Sequence, residues 1–390
     1  MKNLIPVVFT TGLLFLQSSQ ACQVPVFRYA LERWEADDYH AVILHHAPLN
    51  TNQKDALAIL ERAASPELGD GANLKLHLLD LSSNLAIATK WQSEASTFKP
   101  DDQARIVLYY PESTRIKEPL WTGGLNKENV ERIVDSPLRR KITSELLAGT
   151  SNVWLLIQSG HKSVDLQAET RLRGFLEQAR IETKLPDGII PLEKATQLRS
   201  GPDEGPIDMD DVLRSSVPLK IEFKTIAVSR EDPVEKIFLT MLLNHSPRMR
   251  SANEEPIAIP VFGRGRVLEG MIGADMTLEH TRGASTYLCA ACSCQVKDQN
   301  PGLDMLMSVK WADHMLGSLI IEDRVLPPLE GIAELVDDPD VKNPAQKQPV
   351  RPSTQNEEAK GSIPISLVFT LSAITILILF STAWVRKSTQ

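Results

Sequence analysis

The chain has 390 residues, 42% of them hydrophobic, 24% charged and 5% aromatic, a globular composition that excludes wholesale disorder, collagen-like repeats and a multispanning membrane protein. Its net charge is −8 at pH 7. An excess of carboxylates repels a phosphate backbone, so nucleic acid is excluded as a partner.

In chain order the first feature is Met1-Lys2-Asn3, an apolar run from Leu4 to Leu16, and then Ser19-Gln20-Ala21. A basic start, an apolar middle and small residues before a cut predict a secretory signal peptide over residues 1–21, leaving Cys22 as the first mature residue. A lipoprotein signal is the rival, because lipid attachment uses a cysteine at that place. Ser19 stands where such a signal wants leucine.

Residues 22–185 predict a first α/β domain. Ala41 to Leu44 is an apolar run, Asp55 to Ala64 has helical spacing, Leu74 to Leu81 alternates, and Ile106 to Tyr110 is rich in strand formers. There follow an extended Pro119-Leu-Trp121, a Gly123-Gly124 turn, and a helix opened by Asn126 with Val130, Ile133 and Val134 inward. Val153 to Ile157 predicts a buried strand and Leu166 to Ala179 an amphipathic helix. Apolar strands alternating with helices imply a sheet covered by helices.

The order of elements over residues 41–135 resembles the thioredoxin fold. I-V-L-Y-Y-P, P-L-W-T-G-G-L and N-K-E-N-V-E-R-I-V are similar to its last two strands and closing helix. The resemblance implies a redox Cys-x-x-Cys after the first strand, where this chain has His45-His46-Ala47-Pro48-Leu49. The family's thiol chemistry therefore does not carry over to this domain. His45 and His46, being adjacent, point to opposite faces of a strand, so at most one serves a given site.

Residues 186–217 predict a linker, punctuated by Pro186, Gly188, Pro191, Gly201, Pro202, Gly205 and Pro206. A second α/β domain is expected over 218–336. Its elements are a strand from Leu219 to Val228, a helix opened by the capping box Asp232-Pro233-Val234-Glu235, and strands at Pro256–Phe262 and Asp304–Trp311. Asp37-Asp38 and Asp210-Asp211 are expected to be solvated loop charges.

Two segments of the second domain are candidates for chemistry. Val261-Phe-Gly-Arg-Gly-Arg-Val-Leu-Glu-Gly270 is expected to lead from a strand into a helix, where Arg264 and Arg266 would hold an anion. Leu268 stands where a dinucleotide fingerprint requires its third glycine. The other segment holds Cys289, Cys292 and Cys294, and Cys22 is the fourth cysteine of the chain. In an oxidising compartment these four cysteines form a disulfide framework. Alternatively, Cys-x-x-Cys-x-Cys with Cys22 offers thiolates to copper, zinc or an iron–sulfur cluster. A third reading is thiol-disulfide exchange or electron transfer through Cys289, Cys292 and Cys294. No G-x-S-x-G, H-E-x-x-H or P-loop is present, so the chain leans away from the familiar enzyme classes.

A-C-Q-V-P-V-F-R-Y-A-L-E-R-W, P-V-F-G-R-G-R and C-S-C-Q-V-K-D-Q-N-P-G together resemble a family of secreted, membrane-anchored bacterial proteins. The resemblance supplies no activity. It implies that the N-terminal segment and the cysteine loop belong to one module.

Residues 337–360 carry Pro339, Pro344, Pro349 and Pro352 among polar residues and no aromatic, which predicts a disordered tether of about 25 to 40 Å. Gly361 to Val385 is uncharged and longer than the about 20 residues that span a bilayer. Arg386 and Lys387 in the tail, 386–390, place that end in the cytoplasm and the preceding part outside the membrane. The expectation is a single-pass envelope protein with two α/β domains, the first thioredoxin-like, and one C-terminal transmembrane helix. Its expected role is binding or assembly beside an envelope protein partner, with the cysteine loop holding a metal or a disulfide.

Overall fold

A computed structural model describes residues 22–65, 71–82, 89–198, 208–292 and 296–315. The signal peptide, Cys294, the tether, the transmembrane segment and the tail lie outside the described residues. Among the described residues, no helix is long and apolar enough to cross a membrane.

The fold is α/β with mixed sheets. It opens with β1 (Cys22–Pro25) and α1 (Val26–Arg33). Every residue of α1 from Val26 to Glu32 is buried, so this helix lacks the polar face by which amphipathic spacing is recognised.

The first sheet follows. β2 (Tyr39–His45) is buried along its whole length, because its alternate residues serve two cores. Ala41 and Ile43 face one, while Val42 and Leu44 face another with Trp91 and Phe98. α2 (Thr51–Ala64) starts at a reciprocal cap between Asn50 and Gln53. Then come β3 (Leu74–Asp80), α3 (Gln92–Thr97), β4 (Arg105–Tyr109), β5 (Trp121–Gly124) and α4 (Lys127–Val134), the last capped by Asn126 as expected. The strand order is β3-β2-β4-β5, with β2 and β3 parallel and the other two pairs antiparallel. Gly123 and Gly124, expected as a turn, are strand residues. The Trp121 ring lies where a Cβ on Gly123 would be, 2.3 Å from its Cη2.

After α5 (Pro137–Leu147) a second sheet begins with β6 (Asn152–Gln158), followed by α6 (Lys162–Glu182), α7 (Leu192–Leu198), β7 (Phe223–Ser229), α8 (Lys236–Asn244) and α9 (Pro247–Ser251). The chain continues through β8 (Ile257–Phe262), β9 (Arg266–Val267), β10 (Met271–Ile272), α10 (Leu278–Cys289), β11 (Ala291–Cys292), β12 (Leu303–Asp304) and α11 (Trp311–Met315). β6 is parallel to β7 and antiparallel to β8, whose far side carries both β9 and β10. Counting β9 and β10 as one interrupted strand, the order β7-β6-β8-β9/β10 repeats that of the first sheet. The helices repeat as well: α2 packs on α4 and α6 packs on α10.

The molecule is thus layered. One continuous core joins the facing sides of both sheets through α2, α4, α5 and α8, while α6 packs on the outer side of the second sheet against Trp154 and Leu156. β6 and α6, read from sequence as part of the first domain, therefore belong to the second sheet. Their apolar pattern specifies burial but not which sheet buries them.

Two further expectations are corrected. The segment Asp232 to Glu235 is a turn before α8 rather than its first turn, and Val234 is 41% exposed. Glu235 is diverted to cap α5, its Oε1 accepting from the Leu138 N–H at 2.8 Å. Of the strand expected over 304–311 only Asp304 lies in a ladder, as the end of β12 (Leu303–Asp304), and Trp311 opens a helix.

Candidate functional site

The three described cysteines share one buried cluster with Val24, Phe27, Tyr29, Leu213 and Phe262. β1 pairs antiparallel with β11, and in that ladder Cys22 and Cys292 are Cα partners. The Cys22 Sγ donates to the Asp210 carbonyl at 2.8 Å. Burial raises the Cys22 thiol above its ordinary value, outweighing the Val24 N–H and the Arg33 charge. Burial pushes the Cys289 thiol up to about 12, although the Ser151 hydroxyl stabilises its thiolate. Burial thus favours the neutral thiol over the reactive thiolate at Cys22 and Cys289. Among the described residues, no three histidine, cysteine or carboxylate groups converge as a metal ion requires.

Helix α1 is fastened beside this cluster by charges that sequence reasoning passed over. Arg28 and Glu32, one turn apart, form an ion pair of 2.8 Å with side chains 1% and 0% exposed. Glu32 also accepts from the Arg214 and Ser215 N–H groups at 2.8 and 3.1 Å and from the Ser215 hydroxyl at 3.0 Å. Arg28 donates to the Ser215 carbonyl at 3.0 Å and Arg33 to the Val212 carbonyl at 2.7 Å. Asp211, expected as a solvated loop charge, accepts from the Gln23 N–H at 2.6 Å. The segment around Asp210 is thereby wrapped onto the N-terminus.

The glycine–arginine motif meets the same helix from the other side. It leads into the short strand β9, not into a helix, so it offers no helix N-terminus to an anion. Arg264 donates to the Leu31 and Glu32 carbonyls at 2.9 and 3.3 Å, at the C-terminal end of α1, where a cation is favourable. Arg266 donates to Asp304 at 3.0 Å and to the Asn300 and Pro301 carbonyls at 3.0 and 3.2 Å, and lies 5.8 Å from the centre of the Trp34 ring. Both guanidinium groups are occupied by the protein itself.

Beyond Arg266 the surface opens into a polar cleft. Two adjoining cavities of about 330 and 350 Å³ share Asp37, Glu112 and Ser113 as lining residues. Lys297 braces the lining residue Asp37 from behind, donating to the Glu35 carbonyl and Asp37 at 2.6 Å each and pairing with Asp304 at 2.5 Å. Burial works against ionisation of Asp37, but hydrogen bonds from Lys297 and Ser113 hold its carboxyl below the ordinary value. Asp37 is therefore a structural hub, not the solvated charge expected of it. Asp38 does pair at the surface, with Lys75 at 2.8 Å. His40, which lines the second cavity, shares a hydrogen bond of 3.0 Å with His77 beside Trp91. Burial and then Lys90 lower both imidazoles, so both are neutral at pH 7. Arg115, on the rim, holds φ 58°, the left-handed region that non-glycine residues seldom occupy.

His45 and His46 are not part of this cleft. His45 is buried at the end of β2 with its Nδ1 3.1 Å from the Ala47 carbonyl, whereas His46 stacks on Phe98 at 5.7 Å. What the fold does bring together are the three segments on which the family resemblance rests. Trp34 belongs to the first, Arg264 and Arg266 to the second, and Lys297 and Asn300 to the third. No protein-family model matches the chain, and no curated protein matches it at a significant level.

Proposed function

We propose that the protein is a non-enzymatic binding or assembly component, anchored outside the cytoplasmic membrane, whose two sheets are thioredoxin-like units without redox thiols. Supporting the fold reading, the first sheet is mixed, its last two strands are antiparallel and a helix closes it. The second sheet repeats that order. In each unit the loop after the first strand lacks cysteine: His46 to Asn50 in one, Ser159 to His161 in the other. In the second loop, Asp165 accepts the Ser159 and Gly160 N–H groups at 2.7 and 3.1 Å. A carboxylate of the protein thus fills the place an external anion would take at the start of α6.

The observation that carries this reading is the burial of the described thiols. Cys22, Cys289 and Cys292 are 3%, 0% and 0% exposed, and thiol exchange requires an accessible thiolate. With redox chemistry disfavoured, we assign recognition to the polar cleft between Asp37, Lys75, Glu112 and Asn300, where the three segments of the resemblance meet. Site-specific photocross-linkers at Lys75 and Glu112 of the full chain in its native membrane should give one discrete adduct with an envelope protein. The same cross-linker at Arg171, exposed on α6, should give none. Equal labelling from all three positions, or none from any, would reject the cleft as a binding surface.

A further inference from the structure

We propose that Cys22 and Cys292 are joined by a disulfide that staples the mature N-terminus to the second sheet. The proposal rests on the extracytoplasmic reading above for its oxidising surroundings, but its geometry stands apart from that reading. Directly opposite residues of an antiparallel ladder have Cα atoms about 4.5 to 5.5 Å apart, inside the range a disulfide spans. Cys22 and Cys292 are Cα partners at the end of such a ladder, before its register shifts between Cys22 and Pro25, so their side chains leave the same face of the ribbon there, and both thiols are free in this structure. Cys22, Cys292 and Tyr29 also belong to one buried cluster.

Pairing with Cys289 fares less well. Cys289 ends α10 and its thiol is engaged with Ser151 at the start of β6. The Cys22 thiol reaches the Asp210 carbonyl, and a rotation about its Cα–Cβ bond redirects it across the ladder. Because the bond uses the Cys22 sulfur, it excludes a thioether lipid at that residue.

The oxidant is a disulfide of the glutathione or protein-disulfide class. A Cys22 thiolate attacks one of its sulfurs and expels the first thiolate, forming a mixed disulfide. The deprotonated Cys292 then attacks the Cys22 sulfur and expels the second. The donor disulfide is reduced to two thiols, which take up the two protons, and the cysteine pair is oxidised. Since the folded state buries both thiols, the exchange takes place while the chain folds, before β1 docks.

The full chain, alkylated at lysis with N-ethylmaleimide and digested without reductant, should yield the peptide ending at Arg28 linked to the peptide of residues 283–297. Electron-transfer fragmentation should place the link at Cys292. Replacing Cys294 by Ser should leave the link in place, while Cys22→Ser should release an alkylatable Cys292 on unfolding and lower the urea midpoint. Refolding the purified, reduced chain in a glutathione buffer should restore the same link. A link to Cys289 or Cys294, a lipid on Cys22, or refolded protein in which both thiols remain alkylatable would overturn the proposal. Failure of the export reading alone would differ from these, leaving the link absent in cells yet formed on refolding.

Discussion

Arg28 is a charge almost without solvent, and burial lowers its pKa against the opposing pull of Glu32. Removing one member of a buried pair strands the other, at a cost of about 3 to 5 kcal/mol. Glu32→Gln should therefore destabilise the protein by about 3 kcal/mol or more in urea unfolding, far beyond a surface substitution. A loss under about 1 kcal/mol would mean that water reaches Arg28. Neither residue was legible in sequence, because a charged pair one turn apart on a helix reads as solvent-facing. The cysteine cluster was legible as a cluster, but its burial was not, since that comes from Phe27, Tyr29 and Phe262, far apart in the chain.

At the scale of elements, the turn joining β8 and β9 shows how a motif read as ligand-binding serves packing. Gly263 holds φ +59°, and a Cβ there would lie 2.6 Å from the Ala30 Cβ on α1. Both the conformation and the close approach require glycine. Gly263→Ala should cost about 1 to 3 kcal/mol and more than Gly160→Ala, which has φ +95° but nothing within 4 Å. Equal losses in paired urea titrations would show that α1 does not rest on the turn. The long strands β2, β4, β6 and β8 were legible because their apolar runs are continuous. α10 was not, since its buried residues Thr281, Ser285, Leu288 and Cys289 include only one large apolar side chain. β9 to β12, with two residues each, have no period to read.

For the whole molecule, one topology used twice explains why a long chain carries so few recognisable catalytic features. Strand order is repeated without repetition of residues, so no internal repeat was visible in the sequence; what recurs is a buried strand, a helix and a returning hairpin. The layers differ in one respect that sequence could not foresee: α2 and α4 of the first unit face inward to the shared core, whereas α6 of the second unit lies outside. The N-terminal segment sits in a separate cluster with Leu213, Phe262 and Leu288, and Arg264 fastens the end of α1 there.

A protein that binds a partner rather than exchanging thiols has no disulfide-reductase turnover. The full chain in detergent, given a glutathione-coupled disulfide substrate at neutral pH, should accelerate reduction no more than buffer alone. Turnover that Cys292→Ser abolishes would contradict the claim and restore a thiol-exchange function.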